Sequence, residues 1–485
     1  MLLATLPIVV PVAQAPSWAA PRAPAALYYL FVPTQFFNAV QPGAGPHGAA
    51  RLPGPGWWTS VLIHNVGMNT TTITAVAYDA HSPATYSVQA AIPPGVHLGL
   101  LPTDFSGMPL GFEGSFVITA TQPLRGTVIN SNREVGSFGT PGGLAIAAYE
   151  AVHGALAAPS VRFPALQQRR AGEQTTLVAQ NAGGVDTAVS AAYACDDGNT
   201  YVAPALAVGP GQMAALDPAA AGVPDERQCR ATLTASEPLA VVALEHYAVE
   251  AEATRMEAAR GLTAADAGMV LYAPTFKPRR MINAATGWRA SEVILQNVSS
   301  TPITITVSYR GIEGQCAQYE AGRHVSPLLA PGATWTLADW SSVPVNCLSA
   351  ARFAATGPIV GVARETFVEP VPGPGTQSTT LYNLLPERAA GRVIVAQAYK
   401  ELWAGRSSEL QVQNASSITA TVYLEFRWDT PWTWRTIDFD LPPGAALSFY
   451  HISSQPIWSG TPMPPGTIAN VWAFADQPIV GRPEP

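Results

Sequence analysis

Apolar side chains recur at every second position in short runs along this chain. Ile303, Ile305, Val307 and Tyr309 alternate with Thr304, Thr306 and Ser308, the period-two pattern of a half-buried β-strand. Turn signals separate such runs. The clearest are Pro-Gly pairs at Pro94-Gly95, Pro210-Gly211, Pro331-Gly332 and Pro443-Gly444, each followed by a further strand-like segment. The pattern predicts short strands joined by tight turns.

One phrase, an apolar strand ending in asparagine and then a small turn, occurs four times, as SVLIHNVG, TLVAQNAG, EVILQNVS and ELQVQNAS. Its asparagines are Asn65, Asn181, Asn297 and Asn414, spaced by 116, 116 and 117 residues. Other landmarks keep this phase. An aromatic (Tyr78, Tyr193, Tyr309, Phe426) follows each asparagine, and each repeat closes on a proline (Pro123, Pro238, Pro358, Pro478) that leads into a Val-rich strand. The reading is an all-β chain of four tandem Ig-like antiparallel β-sandwich domains, about 116 residues per repeat and about seven strands each. The expected domains are residues 26–134, 160–250, 269–369 and 391–485, with the closing strand of the last one incomplete. Between them, residues 135–159, 251–268 and 370–390 read as linkers, the second with a short helix over Ala251–Arg260. A closed ring is the second architecture, because propellers often complete one blade with both termini.

The chain start repeats the closing phrase. Ala4 to Ala13 matches Ala355 to Ala363, and Pro7 lies 116 residues before Pro123, so residues 1–15 read as the closing strand of an absent repeat or as a donor strand. Pro7, Ile8, Val9, Val10 and Val12 would carry the donated pairing. A secretory signal is the weaker reading, because the segment lacks a basic start and carries prolines at Pro7 and Pro11.

Composition narrows the classes. With 12% charged residues and 48% hydrophobic residues, charge-driven disorder is excluded, and 41 glycines with 45 prolines oppose long helices. A net charge of −7 without a basic tract excludes an electrostatic nucleic-acid partner. No stretch is long and apolar enough to span a bilayer as a helix. The four cysteines form two separated pairs, Cys195 with Cys229 and Cys316 with Cys347, 34 and 31 residues apart at similar points of two repeats. Disulfides are expected, and they persist in oxidising compartments.

The W-x-S-x-V-x-L-Q-N phrase, followed by T-V-x-Y, an A-P-G turn and a closing A-x-x-x-A-x-x-P-I-V, resembles tandem repeats of large secreted and surface proteins of filamentous bacteria. It is also similar to CARDB and NEW3 Ig-like modules. The resemblance implies a non-enzymatic extracellular or cell-surface array, structural or adhesive in function, partnered by itself or by neighbouring repeats. An incomplete last sandwich with a spare first strand adds the expectation of a head-to-tail fibre formed by strand donation.

Chemistry in the residues is sparse. The eight histidines are scattered singly, and no nucleophile elbow, phosphate loop or EF-hand loop occurs, so no catalytic residue, metal or cofactor is expected. Asp438 and Asp440 on one strand, and Asp196-Asp197 in a turn, read as solvated pairs, the latter with calcium as a minor alternative. The repeat asparagines read as turn residues that bond the following backbone. Asn297-Val-Ser, Asn414-Ala-Ser and Asn69-Thr-Thr also fit the glycosylation pattern. Trp57, Trp288 and Trp403 precede the anchor asparagines and belong to the fold. Trp428, Trp432 and Trp434 have no counterparts in the other repeats, and flat rings of this kind stack on sugars, so a glycan-binding array is the alternative function.

Overall fold

The computed structural model describes residues 27–39, 52, 56–132, 146–170, 172–247, 256–276, 280–283, 287–311, 320–338, 349–369, 380–400, 409–427, 433–436, 438–450, 458–459 and 466–484. The four repeats are four antiparallel sheet assemblies, each built from consecutive strands. The chain is an all-β array of tandem sandwich units. Each starts with an opening strand, at Tyr28–Ala39, Ala158–Gln168, Gly268–Phe276 and Gly391–Lys400. Next comes the anchor strand that ends on the repeated asparagine, at Trp57–Asn65, Glu173–Asn181, Gly287–Asn297 and Glu409–Asn414.

A long closing strand joins the two layers. In units two, three and four it is continuous, at Arg227–Tyr247, Ser349–Glu369 and Thr467–Glu484, while in unit one it is split into Phe112–Ala120 and Leu124–Asn132. In unit two its first half pairs with the opening strand (Phe163 opposite Ala231) and with Thr187–Cys195 (Tyr193 opposite Ala231). Its second half pairs with the anchor strand, from Asn181 opposite Leu239 to Glu173 opposite Tyr247. The crossover falls at the repeated proline. Proline has no N–H for a ladder, so the strand changes partners there at least cost. Its carbonyl still accepts a bond from the residue after the anchor asparagine, at 2.8–3.1 Å in all four units.

Alternation sets the cores. Ile73, Ala75 and Ala77 in unit one, and Ile305, Val307 and Tyr309 in unit three, face inward, while Thr74, Val76, Thr306 and Ser308 between them are half-buried or exposed. Trp57 is fully buried in the core of unit one. The Pro-Gly turns form as expected, with Gly95, Gly211, Gly332 and Gly444 at φ of 71–77°, a region open to glycine at little cost.

Three boundary expectations need correction. The linkers are largely strands: Ile146–Glu150, Met256–Arg260 and Thr380–Asn383 turn back and pair with the second half of the preceding closing strand. We call these edge strands. Units one to three therefore extend beyond residues 134, 250 and 369, and the described part of Ala251–Arg260 is strand rather than helix, because pairing with Val242–His246 satisfies its backbone. The closing strand of unit four pairs with its anchor strand from Asn414 opposite Ile479 to Glu409 opposite Glu484.

Candidate functional site

The repeated asparagine is a buried knot. In unit two the Asn181 amide nitrogen donates to the carbonyls of Val185 and Val208 at 2.8 and 2.9 Å, and its Oδ1 accepts from the Gly183 N–H at 2.8 Å. Its backbone carbonyl accepts from Gly211 N of the Pro-Gly turn at 2.9 Å. Asn65, Asn297 and Asn414 make the same bonds, so one side chain ties the strand end, the following turn and the Pro-Gly turn together in each unit. This geometry overturns the sequon reading at two positions. Asn297 and Asn414 are 0% exposed and both amide hydrogens are spent on backbone carbonyls, leaving no nitrogen for a glycan. Asn69 lies at an exposed turn.

The residue before the knot works between units. Gln180 Nε2 donates to Gly211 O of its own turn at 3.0 Å and to Phe116 O of unit one at 3.2 Å. Gly211 O also accepts from Ser115 Oγ of unit one at 2.6 Å. The ring of Tyr78 lies over Gly211, where an added Cβ would come within 2.6 Å of it, so both φ and space restrict this position to glycine. Between units three and four, Gln413 Nε2 donates to Gly444 O and Ala351 O at 3.1 and 3.3 Å, and Arg310 Nη1 donates to Pro443 O at 2.8 Å.

The same seam joins unit four to unit one. Asn470, eight residues before its crossover proline as Ser115 is, donates to Gly95 O at 2.8 Å. Trp472 meets the buried His64 edge to face with ring centroids 5.4 Å apart. His64 occupies the position held by Gln180, Gln296 and Gln413 in the other repeats. The first and last units are therefore in contact, and the four units close on themselves.

Burial, helped by His97 and Arg125, pushes the His64 imidazole down to about 4. Between pH 6.5 and 4 the unfolded chain binds a proton that the folded chain refuses, so stability falls as pH drops through that window. The loss should reach about 3 kcal/mol below pH 4. His64→Gln should remove that part of the acid limb in urea titrations run from pH 7 to 4. An unchanged limb would show that His64 is not the titrating group.

The seam between units two and three differs: it is charged. Arg364 of unit three, 2% exposed, bonds Glu245 of unit two through Nη2 at 2.6 Å and reaches Glu292 at 3.4 Å. Thr175 Oγ1 also donates to Glu245. Apolar contacts of Ala165 and Leu262 with Ile294, Val360 and Val362 surround the cluster. Between units one and two, the seam is continuous with the core of unit one through Val178, Val242, Leu244 and Met256.

Other sequence candidates fall apart in space or outside the described residues. Cys195 and Cys229 form a disulfide between facing strands, while Cys316 and Cys347 lie outside the described residues. The same holds for Pro7, Ile8, Val9, Val10 and Val12 and for Trp428 and Trp432. Trp434 is on a strand opposite Phe426. Asp196 and Asp197 face Arg170 and Arg227 rather than a cation site, and Asp197 is held below the usual carboxylate range by bonds from Asn199 and Tyr201. Among the described residues no cluster of metal-ligating side chains occurs. One shallow cavity of about 300 Å³ is lined by Leu27, Tyr28, Tyr29 and His153, without a nucleophile or a carboxylate pair. Arg364, Asn470 and Trp472 carried no sequence signal, whereas the glutamine before three of the four repeat asparagines did.

No family model and no curated protein matches the chain. Among solved structures, the crystal structure of Thermotoga maritima 1070 is similar at 14% identity over 26% of this chain and 91% of its own, with a TM-score of 0.20.

Proposed function

We propose that the chain is a non-enzymatic structural protein of the cell surface or extracellular space, a closed block of four sandwiches. The observation that supports this reading is the reuse of one seam. A polar side chain eight residues before the crossover proline donates to the Pro-Gly glycine of another unit both between units one and two and between units four and one. A surface spent on a sister unit is not free to join another chain, which favours closure within one molecule over a head-to-tail fibre through this seam. The Cys195–Cys229 disulfide fits an oxidising compartment.

Surface labelling of intact producing cells, combined with thiol mapping, tests the proposal. Protein reached from outside the cell with Cys195 and Cys229 oxidised is the expected result. A cytosolic pool with both thiols reduced would overturn it.

A further inference from the structure

Three of the four units carry glutamine just before the repeat asparagine, and unit one carries His64. Gln180 and Gln413 each donate to the glycine carbonyl of their own Pro-Gly turn and to a carbonyl of the preceding unit, and neither side chain titrates. His64 takes up half of that role. Its imidazole donates to the Gly95 carbonyl, which also accepts from Asn470 of unit four, while its buried Nε2 has no bonded partner among the described residues. The Trp472 indole closes over this place. It meets the imidazole edge to face and lies 3.7 Å from where a Cβ on Gly95 would stand.

The nitrogen bonded to Gly95 carries the proton of the neutral ring, so Nε2 is the basic one. A proton added there creates an N–H with nothing to receive it. The new charge would also lie between His97 and Arg125, which stand opposite His64 on its two neighbouring strands and both oppose it. On unit four, Asn470 and Trp472 carry no charge, and the carboxylate nearest in register is Glu425, opposite Trp472. Water reaches Nε2 once unit four moves away.

The chain runs directly from unit one to two, two to three and three to four, whereas unit four meets unit one through contacts alone. We propose that His64 is an acid latch: its protonation releases unit four from unit one, so that the four-unit block opens at this seam while each sandwich stays folded. The latch rests on the closure of the four units and is independent of where the protein resides. An imidazole freed of Trp472 takes up protons near the ordinary histidine range, held back only by His97 and Arg125. The open fraction should therefore rise about tenfold between pH 7 and pH 5.

A thiol placed in the seam reads this opening. Asn470→Cys buries one beside Gly95, and Ala75→Cys buries one in the core of unit one. Each is labelled in the full chain with a pyridyl disulfide reagent, and its rate is divided by that of the same thiol in urea at the same pH. The seam thiol should label at least about tenfold faster than the core thiol at pH 5, and its rate should rise about tenfold from pH 7 to pH 5. His64→Gln, which installs the residue of the sister units, should abolish the rise. Trp472→Ala, which leaves the imidazole wet throughout, should speed labelling at pH 7 and flatten the rise. Equal rates for the two thiols at pH 5 would show that the seam opens only when the fold does. An undiminished rise in either the His64→Gln or the Trp472→Ala background would place the acid response elsewhere. Any of these results overturns the latch.

Discussion

Replacing Arg364 by methionine is expected to cost about 3–5 kcal/mol of folding stability at pH 7. The guanidinium is the cation that meets Glu245 inside the seam between units two and three, and both side chains are less than 5% exposed. Without it, burial keeps the Glu245 carboxyl raised, with Glu173 adding to the effect and the Thr175 hydroxyl as its remaining donor. A carboxyl raised in the folded state binds a proton that the unfolded state has already released. The cost should therefore be smallest below the ordinary glutamate range near 4.5 and grow as pH rises toward the folded value. Glu245→Met added to Arg364→Met should recover part of the loss, because an apolar pair of similar volume removes the most deeply buried unpaired charge, while Glu292 still loses its cation. Urea unfolding of the two variants at pH 5 and pH 7 checks both statements. A single variant as stable as the parent at pH 7 would show that the seam does not bury the pair.

Asn181→Ala is the second large effect, at about 3–5 kcal/mol. It strips the Val185 and Val208 carbonyls of a donor and the Gly183 N–H of an acceptor, three backbone groups at about 1–2 kcal/mol each. Asn181→Asp should not rescue it. The carboxylate keeps the Gly183 bond, yet it turns a second negative oxygen toward two carbonyls that need a donor. Thermal unfolding of both variants, with the exposed Asn199→Ala as a reference expected within 1 kcal/mol of the parent, measures the difference. Parity of Asn181→Ala with the reference would refute the knot as a stabilising element.

These two residues mark how far the chain could be read unaided. The knot was legible because each unit solves one local problem, the exit from an anchor strand, with the same residue at the same spacing. Its partners lie within 27 residues of it, at Val185, Val208 and Gly183. The alternating cores of Ile73 to Ala77 and Ile305 to Tyr309 were legible for the same reason, since a period of two marks the buried face in the residues themselves. The edge strands were not. Met256–Arg260 has the look of a helix former, and pairing with Val242–His246 overrides that propensity.

The seams lay further out of reach. Arg364 is 119 residues from Glu245, and Asn470 is 375 residues from Gly95, separations too long for local periodicity to link either pair. The sequence by itself determined the number of units, their strand character, their Pro-Gly turns and the asparagine that fastens each one. Tertiary structure alone decided that unit four returns to unit one, that His64 lies buried under Trp472 and that one seam is charged while the others are hydrogen-bonded to backbone. The physical reason is range. Periodicity and turn chemistry act over a few residues and repeat with the chain, whereas contacts between units depend on how whole sandwiches sit against each other.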